Sequence, residues 1–334
     1  MTFLSYVELH RRFSGEIDAA LDTALDGLGP EAESVRKAIT GLLHHQQMKY
    51  PLSVLPLLVH AAETGAHGPA VPLSAVHLLW WTSACYLDDL ADSQAAGTPE
   101  GLGEHEALLA AVVGGQALPI RIVQAQPVPD AVRGALTAEI VNCWFPAVEG
   151  QLRDLRGDTE GAARKSVVTA YRGKSGAPFA MITAMAGIWA GADAGRIRLW
   201  REFGDVLGIL WQLFNDQEDI LSGRNEDLRN GTMTYLLACA LEEAPPGAAR
   251  EHVLALSGAA RSSGRARREL TDLLLAPVVL RAYQKDLDTF RDEAYRVLGE
   301  LGGHEEPLAA LRQLVDQSGG LYLRGDHLSR PASR

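Results

Sequence analysis

The sequence predicts an all-α protein, and three observations carry that reading. Apolar residues recur at three- and four-residue spacing almost throughout, which is the helical period. Val and Ile do not alternate with polar residues over any long stretch, so the strand signature is missing. Ala, Leu, Arg and Glu, all good helix formers, dominate the chain.

Taken in order, the periodic runs predict helices over 2–26, 31–46, 51–65, 73–92, 104–126, 130–156, 160–173, 177–191, 195–222, 229–243, 247–262, 264–300 and 305–317. Turn formers separate them: G-L-G-P at 27–30, G-A-H-G-P at 65–69, A-A-G-T-P at 95–99, Q-P-V-P at 126–129 and A-P-P-G at 244–247. These breakers are short and evenly spread, with no linker, composition step or internal repeat. One helical domain over 1–320 is expected, followed by a polar tail, 321–334, whose R-G-D fits a cytoplasmic tail better than an adhesion motif.

Composition narrows the function. The 334 residues are 47% hydrophobic, enough for a substantial core, and carry a net charge of −11. That balance argues against a nucleic-acid partner, which calls for basic patches. No N-terminal stretch has the basic-then-apolar pattern of a signal peptide. No apolar run reaches the roughly 18 residues of a membrane span. Cys85, Cys143 and Cys239 lie in apolar helical contexts without metal spacing and read as small buried residues of a reducing cytoplasm.

Residues 86–92, Y-L-D-D-L-A-D, end an otherwise apolar helix with three carboxylates. On a helix Asp88 and Asp92 are one turn apart, with Asp89 beside them. Residues 211–219, W-Q-L-F-N-D-Q-E-D, repeat the arrangement: Asn215 and Asp219 are one turn apart, flanked by Asp216. A helix C-terminus is unfavourable for carboxylates, so a positive partner is expected. Oxygen ligands without His or Cys point to Mg²⁺, which combines carboxylates with substrate phosphate. Either cluster alone also reads as a solvated helix end.

The order of further motifs decides between these readings. G-Q-L-R-D-L (150–155), Y-R-G-K-S-G-A-P-F (171–179) and D-L-R-N-G-T-M-T (227–234) join the two acidic clusters. Together they resemble the trans-isoprenyl diphosphate synthase (polyprenyl synthetase) family, with its D-D-x-x-D, G-Q-x-x-D, K-T, F-Q-x-x-D-D-x-x-D and D-L-x-x-G-K-x-T stretches. The resemblance runs from about residue 40 to residue 240. It implies an isoprenoid synthase-type helical bundle around a central active-site cavity, with the two acidic helices facing each other across it, and commonly a homodimer. It implies metal ligation by Asp88, Asp89, Asp92, Asn215, Asp216 and Asp219, with three Mg²⁺ ions arriving with an allylic prenyl diphosphate. It also implies that Lys174, Gln151 and Gln212 serve substrate binding.

The chain departs from that family where isopentenyl diphosphate would bind. The family's G-G-K-R-x-R-P is here H-Q-Q-M-K-Y-P (45–51), with Gln47, Met48 and Tyr50 at the cationic positions and Lys49 out of register. Trp81 stands where the family has a His. D-S-Q-A-A-G-T replaces its R-R-G, and Thr232 its second Lys. Each change removes a phosphate-binding charge.

The first reading is therefore a terpene synthase built on the prenyl synthase fold, ionising a C15–C20 diphosphate whose cation cyclises or is quenched. Asn215 fits this, whereas Asp219 and Gly223 depart from the cyclase pattern. A prenyltransferase using isopentenyl diphosphate or an unusual acceptor is the alternative. A non-catalytic partner subunit is a third reading, disfavoured by two retained metal motifs. Ala84, Trp81 and Trp80 share the face of Asp88. Small Ala84 and Ser83 are expected to leave room for the prenyl chain, with the tryptophans lining or flooring it, or else packing as core.

Overall fold

A computed structural model describes residues 5–45, 51–91, 101–156 and 164–323. All regular structure among them is helical. The main helices are α1 (Tyr6–Asp26), α2 (Glu33–His45), α3 (Leu55–Thr64), α4 (Val71–Ala91), α5 (Glu104–Val112), α6 (Leu118–Gln124), α7 (Asp130–Arg156) and α8 (Arg164–Tyr171). They continue with α9 (Ala177–Trp189), α10 (Ala194–Leu221), α11 (Glu226–Asn230), α12 (Tyr235–Glu243), α13 (Ala248–Ala260), α14 (Gly264–Leu274), α15 (Pro277–Leu301) and α16 (Glu305–Ser318). The chain divides into two compact units. Unit 1 is Met1–Phe145, Pro178–Gly204 and Val297–Leu314; unit 2 is Pro146–Ala177, Asp205–Arg296 and Val315–Arg334.

Unit 1 is built on α4, whose buried residues run almost all the way round, as expected of a helix sheathed by others. Helix α1 is amphipathic: Tyr6, Leu9, Phe13, Ile17, Leu21 and Leu25 face inward at helical spacing. Ser5 and Glu8 start it with a reciprocal capping box, the Glu8 N–H donating to Ser5 Oγ at 3.2 Å and the Ser5 N–H to Glu8 Oε2 at 2.9 Å. Glu63 on α3 accepts from Arg196 Nη2 at 2.7 Å and from Trp200 Nε1 at 2.5 Å, while Arg196 Nη1 donates to the Leu301 carbonyl at 2.6 Å. One carboxylate and one guanidinium thereby pin three distant segments of the unit.

Unit 2 contains α8, α11–α14 and the larger parts of α10 and α15. Arg164 bridges Glu242 at 2.6 Å and Asp286 at 2.9 Å, and Tyr235 Oη donates to the same Asp286 at 2.9 Å. Tyr283 Oη donates to the Leu213 carbonyl at 3.0 Å. Gln217, buried on α10, uses both ends of its amide on the segment after α16: its Nε2 donates to the Gly320 carbonyl at 3.0 Å and its Oε1 accepts the Tyr322 N–H at 2.8 Å. Leu323 is also buried, so packed chain extends past residue 321, where the polar tail was expected to begin.

Several predicted boundaries move for identifiable reasons. The run 264–300 is two helices, because Pro277 has no N–H for the preceding turn and instead starts α15. The run 229–243 breaks at Gly231, which closes α11 at φ 76°, and restarts when Thr234 caps α12. Run 104–126 contains a π turn, Val113–Ala117, and a second π turn, Arg172–Gly176, joins the runs predicted separately over 160–173 and 177–191; both keep the flanking helices continuous. Glu104–Gln124 forms 21 helical residues whose most apolar 18-residue window has a mean hydropathy of 1.5, enough by length and composition to cross a membrane, but half of that window is packed inside the protein, as in a core helix. Cys143 and Cys239 are buried as expected, and Cys85 only partly.

His77 on α4 gives unit 1 a pH signature. It is buried between Trp81 and Phe179, with ring centroids 6.3 and 5.8 Å away. Burial pushes its imidazole down to about 3, against a smaller opposing effect from a backbone hydrogen bond at Leu52. Between its unfolded value near 6.5 and that folded value, the unfolded chain takes up a proton that the folded chain refuses. Stability therefore falls as pH drops, by about 1.4 kcal/mol per pH unit from this group. His77→Phe should flatten the acid limb between about pH 6 and 4 in urea-unfolding curves; equal slopes for variant and wild type would show that His77 does not stay neutral.

Candidate active site

In unit 1, α4 delivers Asp88 and Asp89 in its last turn, Asp88 half-buried and Asp89 exposed. Asp92 lies outside the described residues, as do Gln47, Met48, Lys49 and Tyr50. Trp81 is 8% exposed and meets Phe179 edge-on at 5.4 Å, the packing of a core residue. Trp80 packs on Trp144 at 5.1 Å. Ser83 does not leave the room its size suggested. The π turn after α5 fills it: a β-carbon on Gly115 would lie 2.8 Å from the Ser83 side chain. Ala84 is half-buried.

In unit 2, glycines let backbones meet. A β-carbon on Gly150 of α7 would fall 2.6 Å from the Lys174 nitrogen, and one on Gly173 would fall 2.3 Å from the Pro146 carbonyl. The π turn that carries Lys174 thus lies directly on α7. Asp154, one turn beyond Gly150, then reaches Lys174 Nζ at 2.9 Å. Gly208 does the same for α10, where a β-carbon would fall 2.4 Å from the Ser175 carbonyl. One turn on, Gln212 Oε1 accepts from Ser175 Oγ at 2.7 Å.

This packing gathers charge around Asp216. Its Oδ1 accepts from Gln212 Nε2 at 3.0 Å and its Oδ2 from the hydroxyl of Tyr171 at 2.5 Å. Burial pushes Asp216 up to about 6, while bonds from Tyr171 and Gln212 and the charge of Lys174 pull the other way. Asp227 is held well above the usual carboxylate range by burial and by the charges of Asp216 and Asp219. Asp219 accepts the backbone N–H groups of Glu226 and Asp227 at 3.0 and 3.3 Å, so it also caps α11. Asn215 is half-buried, and Gln151 keeps a buried amide nitrogen with no hydrogen-bond partner among the described residues.

Of the residues expected from the sequence, Lys174, Gln212, Asp216 and Asp219 belong to this cluster. Asp154, Tyr171, Ser175 and Asp227 were missed. Asp154 and Asp227 sit inside quoted motifs, G-Q-L-R-D and D-L-R-N-G-T, and their acidity was the available signal. Tyr171 and Ser175 gave none beyond adjacency to Lys174.

Carboxylate oxygens fit Mg²⁺ chemically, and buried like charges call for a cation. Among the described residues no three or more His, Cys, Asp or Glu form a ready metal cage. Mg²⁺ bound with phosphate substrates keeps waters and uses one or two carboxylates at a time. The orphaned donor of Gln151 and the ammonium of Lys174 suit an oxyanion.

A family model described as polyprenyl synthetase matches residues 106–271. The chain belongs to the polyprenyl synthetase family. A curated member, nonaprenyl diphosphate synthase of Mycobacterium tuberculosis, is 28% identical over 162 residues, 46% of this chain and 47% of that protein. The match thus spans about half the relative's length. Geranylgeranyl pyrophosphate synthetase from Pyrococcus horikoshii shares the fold with a TM-score of 0.78 at 20% identity, over 94% of this chain and 98% of that one. Decaprenyl diphosphate synthase from Rhodobacter capsulatus does so at 0.77 and 20%, over 93% and 98%. The fold is the all-α isoprenyl synthase fold of these neighbours.

The glycine contact is testable. Gly208→Ala puts a methyl group into the Ser175–Gly176 backbone, and overpacking of this kind costs about 1–3 kcal/mol. We expect urea unfolding to show that loss, whereas Gly258→Ala, with open space around it, should not destabilise the fold. Equal stability of Gly208→Ala and wild type would mean that the two backbones do not touch.

Proposed function

We propose that the protein is a Mg²⁺-dependent prenyltransferase acting on an allylic prenyl diphosphate. The observation that carries this is the gathering of Asp154, Asp216, Asp219 and Asp227 with Lys174 on glycine-mediated helix contacts in unit 2. The family assignment supports transfer over cyclisation, and so do relatives whose names are those of prenyl diphosphate synthases.

Ionising an allylic diphosphate separates a diphosphate anion from an allylic cation. Bound Mg²⁺ supplies the charge that neutralises the departing diphosphate. Asp216 with Asp219 and Asn215 in unit 2 are proposed as one set of metal ligands, with Asp227 adding negative potential there, and the Asp88, Asp89 and Asp92 motif as a separate set. Lys174 offers a positive charge to diphosphate oxygens once it leaves Asp154, and Gln151 offers its unpaired donor. Ala84 is proposed to face the prenyl chain, with apolar walls keeping water off the cation, while Trp81 packs behind it on His77 and Phe179.

Cyclisation or quenching without a second diphosphate remains a second reading. It is favoured by Gln47, Met48, Tyr50, Trp81 and Thr232, which replace the family's phosphate-binding side chains. One experiment separates the two. Ten-, fifteen- and twenty-carbon allylic diphosphates are incubated with Mg²⁺, with and without isopentenyl diphosphate, and the products read by mass spectrometry. Products five carbons longer support transfer; hydrocarbons or alcohols formed without isopentenyl diphosphate support the second reading. Activity should vanish in excess chelator, and Asp88→Ala and Asp216→Ala should each lower kcat by about 10² or more. Ala84→Phe should exclude the twenty-carbon substrate first. Full turnover in chelator would sink the site assignment.

A homodimer is the proposed assembly. Helix α5 exposes Leu109 (65%) beside Leu108 and Val112, and α7 exposes Phe145 (72%), Val148, Leu152 and Leu155 at three- and four-residue spacing. Such stripes favour burial against a partner. Light scattering should give twice the chain mass for wild type and the single mass for Leu109→Glu combined with Phe145→Glu; a monomeric wild type would refute it.

A further inference from the structure

Tyr171 has a hydroxyl with one proton and two acceptor lone pairs. The backbone N–H of Tyr235, in the first turn of α12, points at that oxygen from 3.0 Å. A backbone N–H can only donate, so the tyrosine oxygen accepts there, and its single proton is directed to Asp216 Oδ2, 2.5 Å away. The other carboxylate oxygen takes the Gln212 amide at 3.0 Å, and Gln212 is itself held by Ser175 at 2.7 Å. Each oxygen of Asp216 is therefore gripped by one donor and retains a lone pair for a further partner.

Tyr171 and its surroundings are buried, so the directions of these bonds are fixed by packing rather than by solvent. Tyr235 anchors the other end of the relay through its own hydroxyl to Asp286 at 2.9 Å. The chain from Arg224 to Thr234, which brings Asp227 toward Asp216, leads directly into α12. Seating of that loop and orientation of Asp216 are thus mechanically joined at one hydroxyl group.

Building on the metal-binding reading above, we propose that Tyr171 is a positioning residue. It fixes the plane of the Asp216 carboxylate before a cation arrives and couples it to the seating of α12 and the loop before it. Gln212 is the second arm of the same clamp. A purely structural role, satisfying the buried Tyr235 N–H, predicts lost stability but an unchanged metal requirement.

The test is thermal unfolding of the full chain, with Mg²⁺ titrated at fixed, saturating inorganic diphosphate. Wild type should be stabilised. In Tyr171→Phe the Mg²⁺ concentration for half the stabilisation should rise about tenfold, the scale of one charge-assisted hydrogen bond. Tyr295→Phe deletes a comparable hydroxyl–carboxylate bond, to Asp316 at 2.6 Å on the exposed surface, and should leave the Mg²⁺ requirement at the wild-type value. If Tyr171→Phe does not fold, Gln212→Leu removes the other arm and must raise the requirement instead. A lower melting temperature with an unchanged Mg²⁺ requirement overturns the positioning role alone. A wild type indifferent to Mg²⁺ and diphosphate overturns the metal-binding reading, and this role with it.

Discussion

The organisation of unit 2 follows from one constraint: several carboxylates share a small, largely buried space. Asp216 and Asp219 are almost completely covered, and Asp154 lies close enough to Asp216 to raise its proton affinity. Isolated buried charges cost far more than folding can tolerate. The chain answers group by group. Asp154 takes the Lys174 ammonium, Asp216 takes two side-chain donors, and Asp219 takes two backbone N–H groups. Asp227 has the largest imbalance, with Asp216 and Asp219 pushing it in the same direction as its burial. On the proposed function, a cation with diphosphate would offset this imbalance, with Lys174 turning from Asp154 to the diphosphate while the anchors of Asp216 and Asp219 stay in place.

Those anchors exist only because helices approach more closely than side chains normally permit. Gly150, Gly173 and Gly208 replace side-chain layers with backbone contact, so Asp154 and Gln212, each one turn further on, are short-range partners of the Lys174 turn. The π turn at Arg172–Gly176 adds its own effect by inserting a residue into the helical repeat. Tyr171 precedes the widened turn and Lys174 lies within it, and they find different partners, one toward Asp216 and the other toward Asp154. Stability and chemistry are therefore not separable here: a methyl group added at Gly208 acts on packing first and on Asp216 second.

How legible this was depends on the kind of information each feature carries. Helical periodicity is local, so α1, α4, α7 and α10 could be read from spacing alone. Pro277 carried its own stop signal, yet the uninterrupted Leu and Arg pattern around it masked the break. The π turn at Val113–Ala117 left no periodic trace, because one extra residue in a helix resembles noise in the pattern, whereas the one at Arg172–Gly176 read as a gap between two helices. Asp88, Asp216 and Lys174 were visible as motifs. Tyr171 was not, since its role depends on a backbone N–H 64 residues away, and no composition or spacing encodes that distance. Ser83 failed differently: its small size was readable, but the glycine turn that fills the vacated space comes from another helix.

The acceptor side brings the same charge logic to bear on the choice of reaction. Two diphosphates held near each other need more positive charge than one. The family's pattern provides it through lysines and arginines that this chain replaces with Gln47, Met48, Tyr50 and Thr232. Trp81, at the position of a family histidine, is committed to ring contacts with His77 and Phe179. On the proposed function, the departing diphosphate would keep the counter-charges of the metal side, whereas a second diphosphate would meet fewer. Transfer to isopentenyl diphosphate would then require positive charge from outside this pattern, and transfer to an uncharged acceptor would not.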